Sequence, residues 1–374
     1  MYGYARMGRM RIDKEFLKLI SRVEGQLGVL PFGHDIISII RRSYQEGATI
    51  QDATFELINT LFGDRGLIVL VPDNANLKRI AAKVFGDDLL NETASVIVEN
   101  TAQKLDAAGY KLQANPREIN LFYLKDDVRN RIEKAKNKFV VRQSSLTFDE
   151  KEMLTELNDH PERFSPNVIL RGLFQELILP NLVYIGGGGE IAYWLQLKNL
   201  FHYHKIPYPL LLLRDSFLVV EKKWQEKISK LGFTTEDFFL SEQEIVNRLV
   251  TRETTNKVRL NGDLAQIGNF YDSLHKQAIA VDSTLGKHVE ALRSQSIYSL
   301  QELEKKMLRA ERRKFSDQQN QIRTIKEKLF PGNSLQERID NFMYYYAKWG
   351  KDFLQQVYEH APSFGEEFVV LTEK

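Results

Sequence analysis

The sequence predicts an α/β protein whose C-terminal part is entirely α-helical. Up to residue 220, short apolar runs of strand type alternate with helical patterns. After residue 220 no further run of strand type is predicted, and apolar residues recur every three or four positions on a charged background. We therefore expect a core domain over residues 1–220 and an α-helical coiled-coil domain over residues 221–374.

The first half of the core is predicted to contain helices on both sides of one strand. Apolar residues at helical spacing cover residues 34–62 and 94–108. Between them, residues 67–71 form a continuous apolar run, which is typical of a strand buried on both faces of a sheet. The Pro-Asp-Asn sequence at residues 72–74 then provides a turn into the next helix.

The second half of the core is predicted to add short strands and two longer ones. Residues 110–148 carry short apolar stretches and turn residues, which predict short strands or a hairpin. A helix over residues 167–179 is expected to begin with Ser165 as its N-cap and Pro166 in its first turn. Two apolar runs follow, at residues 181–185 and 207–220. Strands separated by helices favour a parallel, doubly wound sheet.

The C-terminal domain is predicted to be a long helical hairpin. Apolar residues keep helical spacing from residue 285 to 329, with slips of register that are typical of an imperfect coiled coil. Such a helix spans roughly 65 Å, well beyond the ~30 Å of a small domain. The aromatic helical pattern over residues 335–358, which follows a Pro-Gly break, can cover only part of that length. We therefore expect a homodimer formed through this domain.

Composition excludes several classes of protein. The 52 Lys and Arg residues are balanced by 50 Asp and Glu, so the whole chain carries no signature of nucleic-acid binding. Cysteine is absent, which excludes disulfides, thiolate metal sites and a catalytic thiol. The N-terminus lacks the apolar core of a signal peptide, and no apolar run approaches the length of a membrane span. We expect a cytoplasmic protein without nucleic-acid or membrane partners.

Histidine and basic clusters give weak signals. His202 and His204 are two residues apart and do not share a helix face, and no carboxylate completes a metal site at a suitable spacing. We therefore expect no metal. The basic run at residues 309–314 is interpreted as a solvated face of the coiled coil.

Four consecutive glycines separate the second predicted strand from a helix: Gly186, Gly187, Gly188 and Gly189. Their bare N–H groups, at a helix N-terminus, could cradle a phosphate or a carboxylate. Alternatively, they could form a tight turn where the helix packs closely on the sheet. The run matches neither the Walker pattern nor G-x-G-x-x-G. Two roles are considered equally for Glu190: it could satisfy the helix N-terminus, or it could face a cationic group of a ligand.

A polar stripe on the preceding helix is a candidate binding surface. Asn167, Arg171 and Gln175 lie four residues apart, on one face of an otherwise apolar helix. A solvated outer face would explain the stripe without any function. However, the stripe could also reach the crevice at the carboxyl ends of the strands, where Arg171 would suit a phosphate or carboxylate. Tyr193 and Trp194 could stack on a ring, although helix-face aromatics are more often in the core.

These stretches together resemble the BshC family, the cysteine-adding enzymes of bacillithiol biosynthesis. The resemblance is carried by LFGDRGLIVLVP, REINLFYL, FSPNVILRGLFQELILPNLVYIGGGGEIAYWLQLK and PYPLLLLRDSFLVV. Near the C-terminus it continues with KKMLRAERRK and LFPGNSLQERIDNF. The stretches occur in the family's order from about residue 34 to the C-terminus. The family usually has a proline where this chain has Gly188.

The resemblance implies a Rossmann-like core, related to nucleotidyltransferases and class I synthetases, with helical insertions. It also implies a C-terminal coiled coil that pairs two chains. The implied enzyme is a ligase that joins L-cysteine to the amino group of glucosaminyl-malate in the last step of bacillithiol biosynthesis, with ATP activating the carboxyl group. Asn120, in the REINLFYL stretch, is counted with the expected binding residues. No catalytic base is assigned.

The resemblance covers the C-terminal two thirds of the family's length. The family's first half-sheet, an early glycine segment and a histidine–acid motif have no counterpart here, and His34 with Asp35 is no substitute. The alternative function is therefore a truncated, non-catalytic subunit that binds a ligand or serves as a dimerising scaffold.

Overall fold

The computed structural model describes residues 7–125, 128–254, 260–361 and 367–374. Its helices are α1 (Lys14–Leu27), α2 (Gly33–Ser43), α3 (Ile50–Phe62), α4 (Ala75–Ile80), α5 (Ala82–Asn91), α6 (Thr93–Ala107), α7 (Glu150–Asp159), α8 (Val168–Ile178), α9 (Gly188–His204), α10 (Lys222–Lys230), α11 (Glu242–Glu253), α12 (Asn261–Val281), α13 (Leu285–Arg312), α14 (Ser316–Leu329), α15 (Gln336–Ile339), α16 (Phe342–Trp349) and α17 (Lys351–His360). Its strands are β1 (Leu121–Lys125), β2 (Val128–Ala135), β3 (Lys138–Val141), β4 (Thr147–Phe148), β5 (Phe164–Pro166), β6 (Val183–Gly186), β7 (Leu210–Leu213), β8 (Ser216–Val220) and β9 (Phe368–Thr372). Over this described part of the chain, no helix combines the length and the apolar character needed to cross a membrane.

The chain folds into two compact units. The first unit comprises residues 1–215 and 341–367, and the second comprises residues 216–340 and 368–374. Helices α16 and α17, which the sequence analysis placed in the C-terminal domain, therefore belong to the first unit. Strand β9 returns the chain to the second unit, where it pairs in parallel with β8, so the prediction that no strand follows residue 220 is wrong.

The largest sheet of the first unit is antiparallel, with strand order β4-β3-β2-β1-β5, so the parallel, doubly wound sheet favoured from the sequence is wrong for these strands. Strands β1 and β2 form a hairpin in which Leu124 lies opposite Arg129, so the predicted hairpin is confirmed. On its other edge β1 pairs with β5, and Tyr123 lies opposite Phe164. This pairing brings the residues before α8 alongside the hairpin.

A parallel β-α-β unit follows the antiparallel sheet. Strand β6 runs parallel to β7, with Tyr184 opposite Leu211, and α9 makes the crossover between them. The strand predicted at residues 181–185 is thus confirmed. The apolar run at residues 207–220 becomes two strands, β7 in the first unit and β8 in the second. The β-α-β unit places the glycine run at the carboxyl end of β6.

The strand predicted at residues 67–71 is wrong. Residues 67–74 form no strand, and the side chains there are largely exposed, at 47% for Leu67, 86% for Ile68 and 42% for Leu70. An apolar run becomes a strand only when a neighbouring strand satisfies its backbone N–H and C=O groups. No strand in the described ranges pairs with it.

The aromatic helical segment at residues 335–358 does not cover the coiled coil as expected. Instead, α16 packs against α2, and Tyr346 and Ala347 share a buried cluster with Ile36 and Ile37. The backbone N–H of Phe32 donates to the carbonyl of Ala347 at 2.8 Å. The aromatic face of this segment is therefore part of the first unit's core.

The second unit contains a helical hairpin, but its arms are α12 and α13 packed on each other, not the predicted pairing of the long helix with residues 335–358. The Tyr271 hydroxyl lies 2.7 Å from Ser296 Oγ across the pair. The long helix is interrupted by a 3-10 turn over Arg313–Phe315, after which Ile322 and Ile325 of α14 enter the unit's core. Helix α12 contributes no buried residue, so the hairpin leaves apolar surface uncovered within this unit.

Candidate functional site

The glycine turn (residues 186–189) lies at the carboxyl end of a parallel strand pair. Strand β6 ends at Gly186, and α9 begins at Gly188. The backbone N–H of Arg214, which follows β7, donates to the Gly186 carbonyl at 2.9 Å. In open α/β sheets, ligands bind beyond the carboxyl ends of the strands. The turn is therefore placed where a ligand-binding crevice is expected.

Among Gly186, Gly188 and Gly189, only Gly186 has a clear steric need to lack a side chain. A Cβ on Gly186 would lie 2.7 Å from Cε1 of Tyr184, which is too close. Gly187 has φ −71° and ψ 161°, an extended conformation open to any residue. A Cβ on Gly189 would meet nothing within 4 Å, and one on Gly188 would just touch Leu213. The close-packing interpretation thus holds at Gly186, while the space beside Gly188 and Gly189 is open.

Glu190 satisfies the N-terminus of α9. Its Oε2 accepts the backbone N–H of Gly187 at 3.0 Å, which is the acidic half of a capping box. Its other carboxylate oxygen lies 3.6 Å from Nη2 of Arg171. Of the two roles considered for Glu190, the structure shows the capping role, with a second link to the polar stripe.

Arg171 is the centre of a cluster at the glycine turn. Its Nη2 donates to the Tyr193 hydroxyl at 2.7 Å and more weakly to the Tyr184 hydroxyl at 3.4 Å. Its Nη1 donates to Oε1 of Gln175 at 3.4 Å. Four of the predicted binding residues, Arg171, Gln175, Glu190 and Tyr193, are thus brought together. The Arg171 side chain remains 43% exposed and accessible to a ligand.

Three other predicted binding residues serve the fold in this structure. Trp194 is completely buried and stacks on Tyr184, with 4.1 Å between ring centroids. Asn120 is completely buried, and its Oδ1 accepts from Nδ2 of Asn167 at 2.8 Å. Asn167 is the N-cap of α8, because its Oδ1 accepts from the N–H of Ile169 at 2.8 Å. The predicted N-cap, Ser165, is wrong and lies instead in β5.

Asn120 also holds the buried carboxylate of Asp88. Its backbone N–H donates to Oδ2 of Asp88 at 2.6 Å, and its Nδ2 donates to Oδ1 at 3.0 Å. Burial raises the pKa of Asp88 from 3.8 to about 7, because the hydrogen bonds from Asn120 offset the lost hydration only in part. Asn120 is therefore held in the core by hydrogen bonds to the titratable carboxyl group of Asp88.

The contribution of Asp88 to the free energy of unfolding is expected to fall as pH rises. Between its unfolded pKa of 3.8 and its folded pKa of about 7, the folded chain keeps a proton that the unfolded chain loses. This contribution is complete at pH below 3.8 and is lost as pH rises through about 7, at about 1.4 kcal/mol per unit of pKa shift. Thermal melting across this range should show a smaller fall for Asp88→Asn than for the wild type. The exposed Asp106→Asn should keep the wild-type slope, and an unchanged slope in Asp88→Asn would contradict the assignment.

Arg171 also lines a cleft of about 640 Å³, to whose lining the glycine turn does not contribute. We call it the basic cleft. One wall is formed by α8, and the others come from β1, β2, β5, α4 with the segment before it, and residues 8, 9 and 51. The lining residues are Gly8, Arg9, Gln51, Leu70, Pro72, Asp73, Lys78, Leu124, Arg129, Ser165, Pro166, Arg171, Phe174, Gln175, Ile178, Leu179 and Asn181. The cleft is therefore apolar over much of its wall and carries four cationic side chains against one carboxylate.

Two of the four cations are bound to the single carboxylate. Lys78 Nζ lies 2.6 Å from Oδ1 of Asp73, and Arg9 Nε lies 2.5 Å from Oδ2. Burial alone would raise the pKa of Asp73, but the hydrogen bonds from Arg9 and Lys78 hold it below its ordinary value. Asp73 is thus an ionised partner of both, and Arg129 and Arg171 are the cations whose charge it does not neutralise.

Arg171 and Gln175 were predicted from the sequence as binding residues beside the glycine turn, whereas the other polar groups of this cleft were not predicted as binding residues. Arg9, Lys78 and Arg129 come from segments far apart in the chain. Arg129 stands in an Arg-Asn-Arg stretch that has no apolar alternation to mark an inward-facing residue. Only Asp73 lies in a segment that was noted from the sequence, the turn predicted at residues 72–74. The rest of the cleft depends on how the hairpin packs beside α8.

Two family models match the chain, and together they cover nearly all of it. One is described as the bacillithiol biosynthesis BshC N-terminal Rossmann-like domain, over residues 3–215. The other is described as the BshC C-terminal coiled-coil domain, over residues 217–373. The Rossmann-like and coiled-coil assignments of the sequence analysis are thereby confirmed.

Curated relatives with the name "Putative cysteine ligase BshC" are similar over most of the chain. The protein of Christiangramia forsetii is 36% identical over 335 residues, covering 90% of this chain and 62% of the relative. That of Flavobacterium johnsoniae is 35% identical over 368 residues, covering 98% and 69%. That of Cytophaga hutchinsonii is 36% identical over 307 residues, covering 82% and 59%. The chain thus spans about two thirds of the length of the curated relatives that it matches.

Proposed function

Because the chain belongs to the BshC family of bacillithiol biosynthesis, we propose that it takes part in adding L-cysteine to glucosaminyl-malate. The bond formed is an amide between the cysteine carboxyl group and the sugar amine, in the last step of the pathway. Support comes from the relatives' name as cysteine ligases. The observation that carries the proposal is Arg171, which links the glycine turn to a cleft large enough for a small molecule.

Activation of the cysteine carboxyl group is the chemical requirement of this reaction. A carboxylate is a poor electrophile, so we propose ATP as the activating substrate. Transfer of AMP to the carboxylate releases pyrophosphate, and attack of the sugar amine on the carbonyl carbon then expels AMP and forms the amide. Among the described residues we assign none as the base that accepts the amine proton.

The glycine turn can hold a phosphate group only after Glu190 moves. In the present conformation the Glu190 carboxylate occupies the N-terminus of α9 and accepts the Gly187 N–H. A phosphate at the same N–H groups would be repelled by this carboxylate. Arg171, 3.6 Å from Glu190, is the cation toward which the carboxylate can turn. Binding of ATP at the turn therefore involves a change of partner for Glu190.

A second candidate function is a non-catalytic subunit that binds the ligand and dimerises. The observation that favours it is the small extent of parallel sheet, which in the described part of the first unit is limited to β6 and β7. In either case we propose a cytoplasmic homodimer formed through the α12–α13 hairpin, because that hairpin leaves apolar side chains uncovered in its own unit. Phe270 is 60% exposed and Tyr298 63%.

The proposed reaction is tested by incubating the full chain with L-cysteine and glucosaminyl-malate, with and without ATP, and detecting the amide by mass spectrometry. We expect product only with ATP. Arg171→Ala should weaken the apparent affinity for glucosaminyl-malate by about 10- to 150-fold, because a charge-assisted hydrogen bond contributes about 1.5–3 kcal/mol. Gln175→Ala, on the same helix face, loses a neutral contact and should have a smaller effect.

The two candidate functions give different results in this assay. Binding of glucosaminyl-malate without any product supports the non-catalytic subunit. Equal and negligible effects of both substitutions would mean that the polar stripe of α8 takes no part in binding. Melting temperatures of both variants must stay close to that of the wild type, since Arg171 also contacts Tyr193.

A further inference from the structure

Arg129 is held in a fixed position at the wall of the basic cleft. Its guanidinium carbon lies 3.6 Å from the centroid of the Phe122 ring, which is a close cation–π contact. Its Nε donates to Oγ of Ser165 at 3.3 Å, and its Nη2 donates to the carbonyl of Pro166 at 3.2 Å. Ser165 and Pro166 themselves line the cleft. The ring and the two acceptors therefore orient the guanidinium without neutralising it.

Arg129 has no carboxylate partner within the described residues. A guanidinium has five N–H donors, and two of them are used here, so about three are available to a ligand. Burial lowers the pKa of Arg129 from its ordinary value, which reflects a charge that has lost hydration without gaining a counter-ion. The group nevertheless remains protonated. A partly buried, uncompensated cation of this kind is stabilised by an anionic ligand.

The balance of charge in the cleft leaves two cations for a ligand. Asp73 is bound by Lys78 and Arg9, so these three side chains together carry one net positive charge. Both carboxylate oxygens of Asp73 are used in these ion pairs, so Asp73 does not neutralise Arg129 or Arg171. Arg171 is only partly compensated, since Glu190 lies 3.6 Å away and both side chains are more than 40% exposed. Arg129 and Arg171 thus offer two guanidinium groups from two separate elements, β2 and α8, to one cavity.

We infer that the basic cleft binds the dicarboxylate end of the acceptor substrate, with Arg129 as the anchoring residue. This inference rests on the proposed function, in which the acceptor is glucosaminyl-malate and its malate group carries two free carboxylates. Arg129 keeps free N–H donors on both terminal nitrogens and can bind one carboxylate through two parallel hydrogen bonds. Arg171, whose Nη2 already donates to Tyr193 and Tyr184, supplies positive charge and a single donor for the other carboxylate. Leu124 and Phe174 supply apolar wall for the carbon atoms between the carboxylates. The sugar amine is then directed along Arg171 toward the glycine turn.

L-malate alone is the probe, titrated into the full chain by calorimetry. Arg129→Gln should weaken malate binding by at least about 10-fold, because it removes a charge-assisted hydrogen bond from a fixed donor. Arg131→Gln is the matched control, since Arg131 lies two residues further on the same strand and does not line the cleft. It should bind malate as the wild type does. Arg129→Lys keeps the charge without the fork and should fall between the two.

Acetate and inorganic phosphate are the comparison ligands. The dicarboxylate assignment requires that both bind more weakly than malate, and phosphate binding as tight as malate would overturn it. Malate binding that is absent in the wild type, or unchanged in Arg129→Gln, would equally overturn the inference. If Arg129→Gln does not fold, Arg129→Lys decides, since unchanged malate affinity in that folded variant would contradict a bidentate contact.

The inference and the proposed function fail in distinguishable ways. Malate binding that depends on Arg129, without any amide formation, would support the dicarboxylate site and contradict the ligase activity. Amide formation with an unchanged KM for glucosaminyl-malate in Arg129→Gln would support the ligase activity and contradict the role of Arg129 in binding the acceptor.

Discussion

Replacing Trp194 by alanine is expected to lower the free energy of unfolding of the first unit by about 3–5 kcal/mol, the usual range for a large buried aromatic side chain. Trp194 is completely buried and stacks on Tyr184. It also packs on α8, because a Cβ added to Gly172 would lie 3.3 Å from Cζ2 of Trp194. Truncation leaves a cavity between α8, α9 and β6 that rigid neighbours cannot fill. Chemical denaturation measures the loss.

Tyr203→Ala is the matched control for Trp194→Ala. Tyr203 is an aromatic residue of the same helix that is 49% exposed, so its truncation should change stability by no more than about 0.5 kcal/mol. A folded Trp194→Ala variant that loses less than about 1 kcal/mol but binds glucosaminyl-malate poorly would give Trp194 the ligand-stacking role considered from the sequence. The burial of the ring argues for the core role.

The double substitution Leu292→Lys with Leu303→Lys is expected to convert the proposed dimer to monomer at micromolar concentration. The two leucines lie eleven residues apart on α13, about three helical turns, and so share one face of the helix. They are 39% and 47% exposed, so their replacement costs little within one chain. In an interface between two chains, each lysine would instead bury an unpaired charge, which is strongly unfavourable. Sedimentation velocity measures the change.

A second double variant controls for added charge. Ser294→Lys with Gln301→Lys adds the same two charges to α13 at exposed polar positions and should leave the dimer intact. A wild-type chain that sediments as a monomer would contradict the dimer, and so would a Leu292 and Leu303 variant that remains dimeric. In either case the exposed apolar side chains of the hairpin would need another explanation.

Elements whose signals lie close together in the chain could be predicted from the sequence. Strand β6, the glycine turn and α9 follow one another within about twenty residues, and their order is evident from apolar runs and glycines alone. The four-residue spacing of the α8 stripe placed Arg171 and Gln175 on one face, and both line the basic cleft. Glu190, three residues after Gly187, was likewise a local candidate for the cap that the structure shows.

The misplaced elements are those whose conformation depends on a distant partner. Residues 67–71 have the composition of a buried strand, but composition does not supply hydrogen-bond partners, and no strand of the described residues pairs with them. Ser165 has the chemistry of an N-cap, but pairing of β5 with β1 holds it in extended conformation, so the capping role passes to Asn167. The aromatic segment at residues 335–358 has an apolar face that fits several surfaces, and only packing on α2 selects one.

An α/β core with a glycine turn before a helix, followed by a helical coiled-coil region, could be predicted from the sequence alone. These features follow from periodicity and turn chemistry, which act over a few residues. Contacts between side chains from distant segments depend on how the elements pack. Arg129, Lys78 and Asp73 line one cleft with Arg171 because the β1–β2 hairpin, α4 and α8 pack together. The same packing buries Trp194 and Asn120 completely. Burial of Trp194 is favoured because it removes apolar area from water, and burial of Asn120 is possible because its polar groups are hydrogen-bonded.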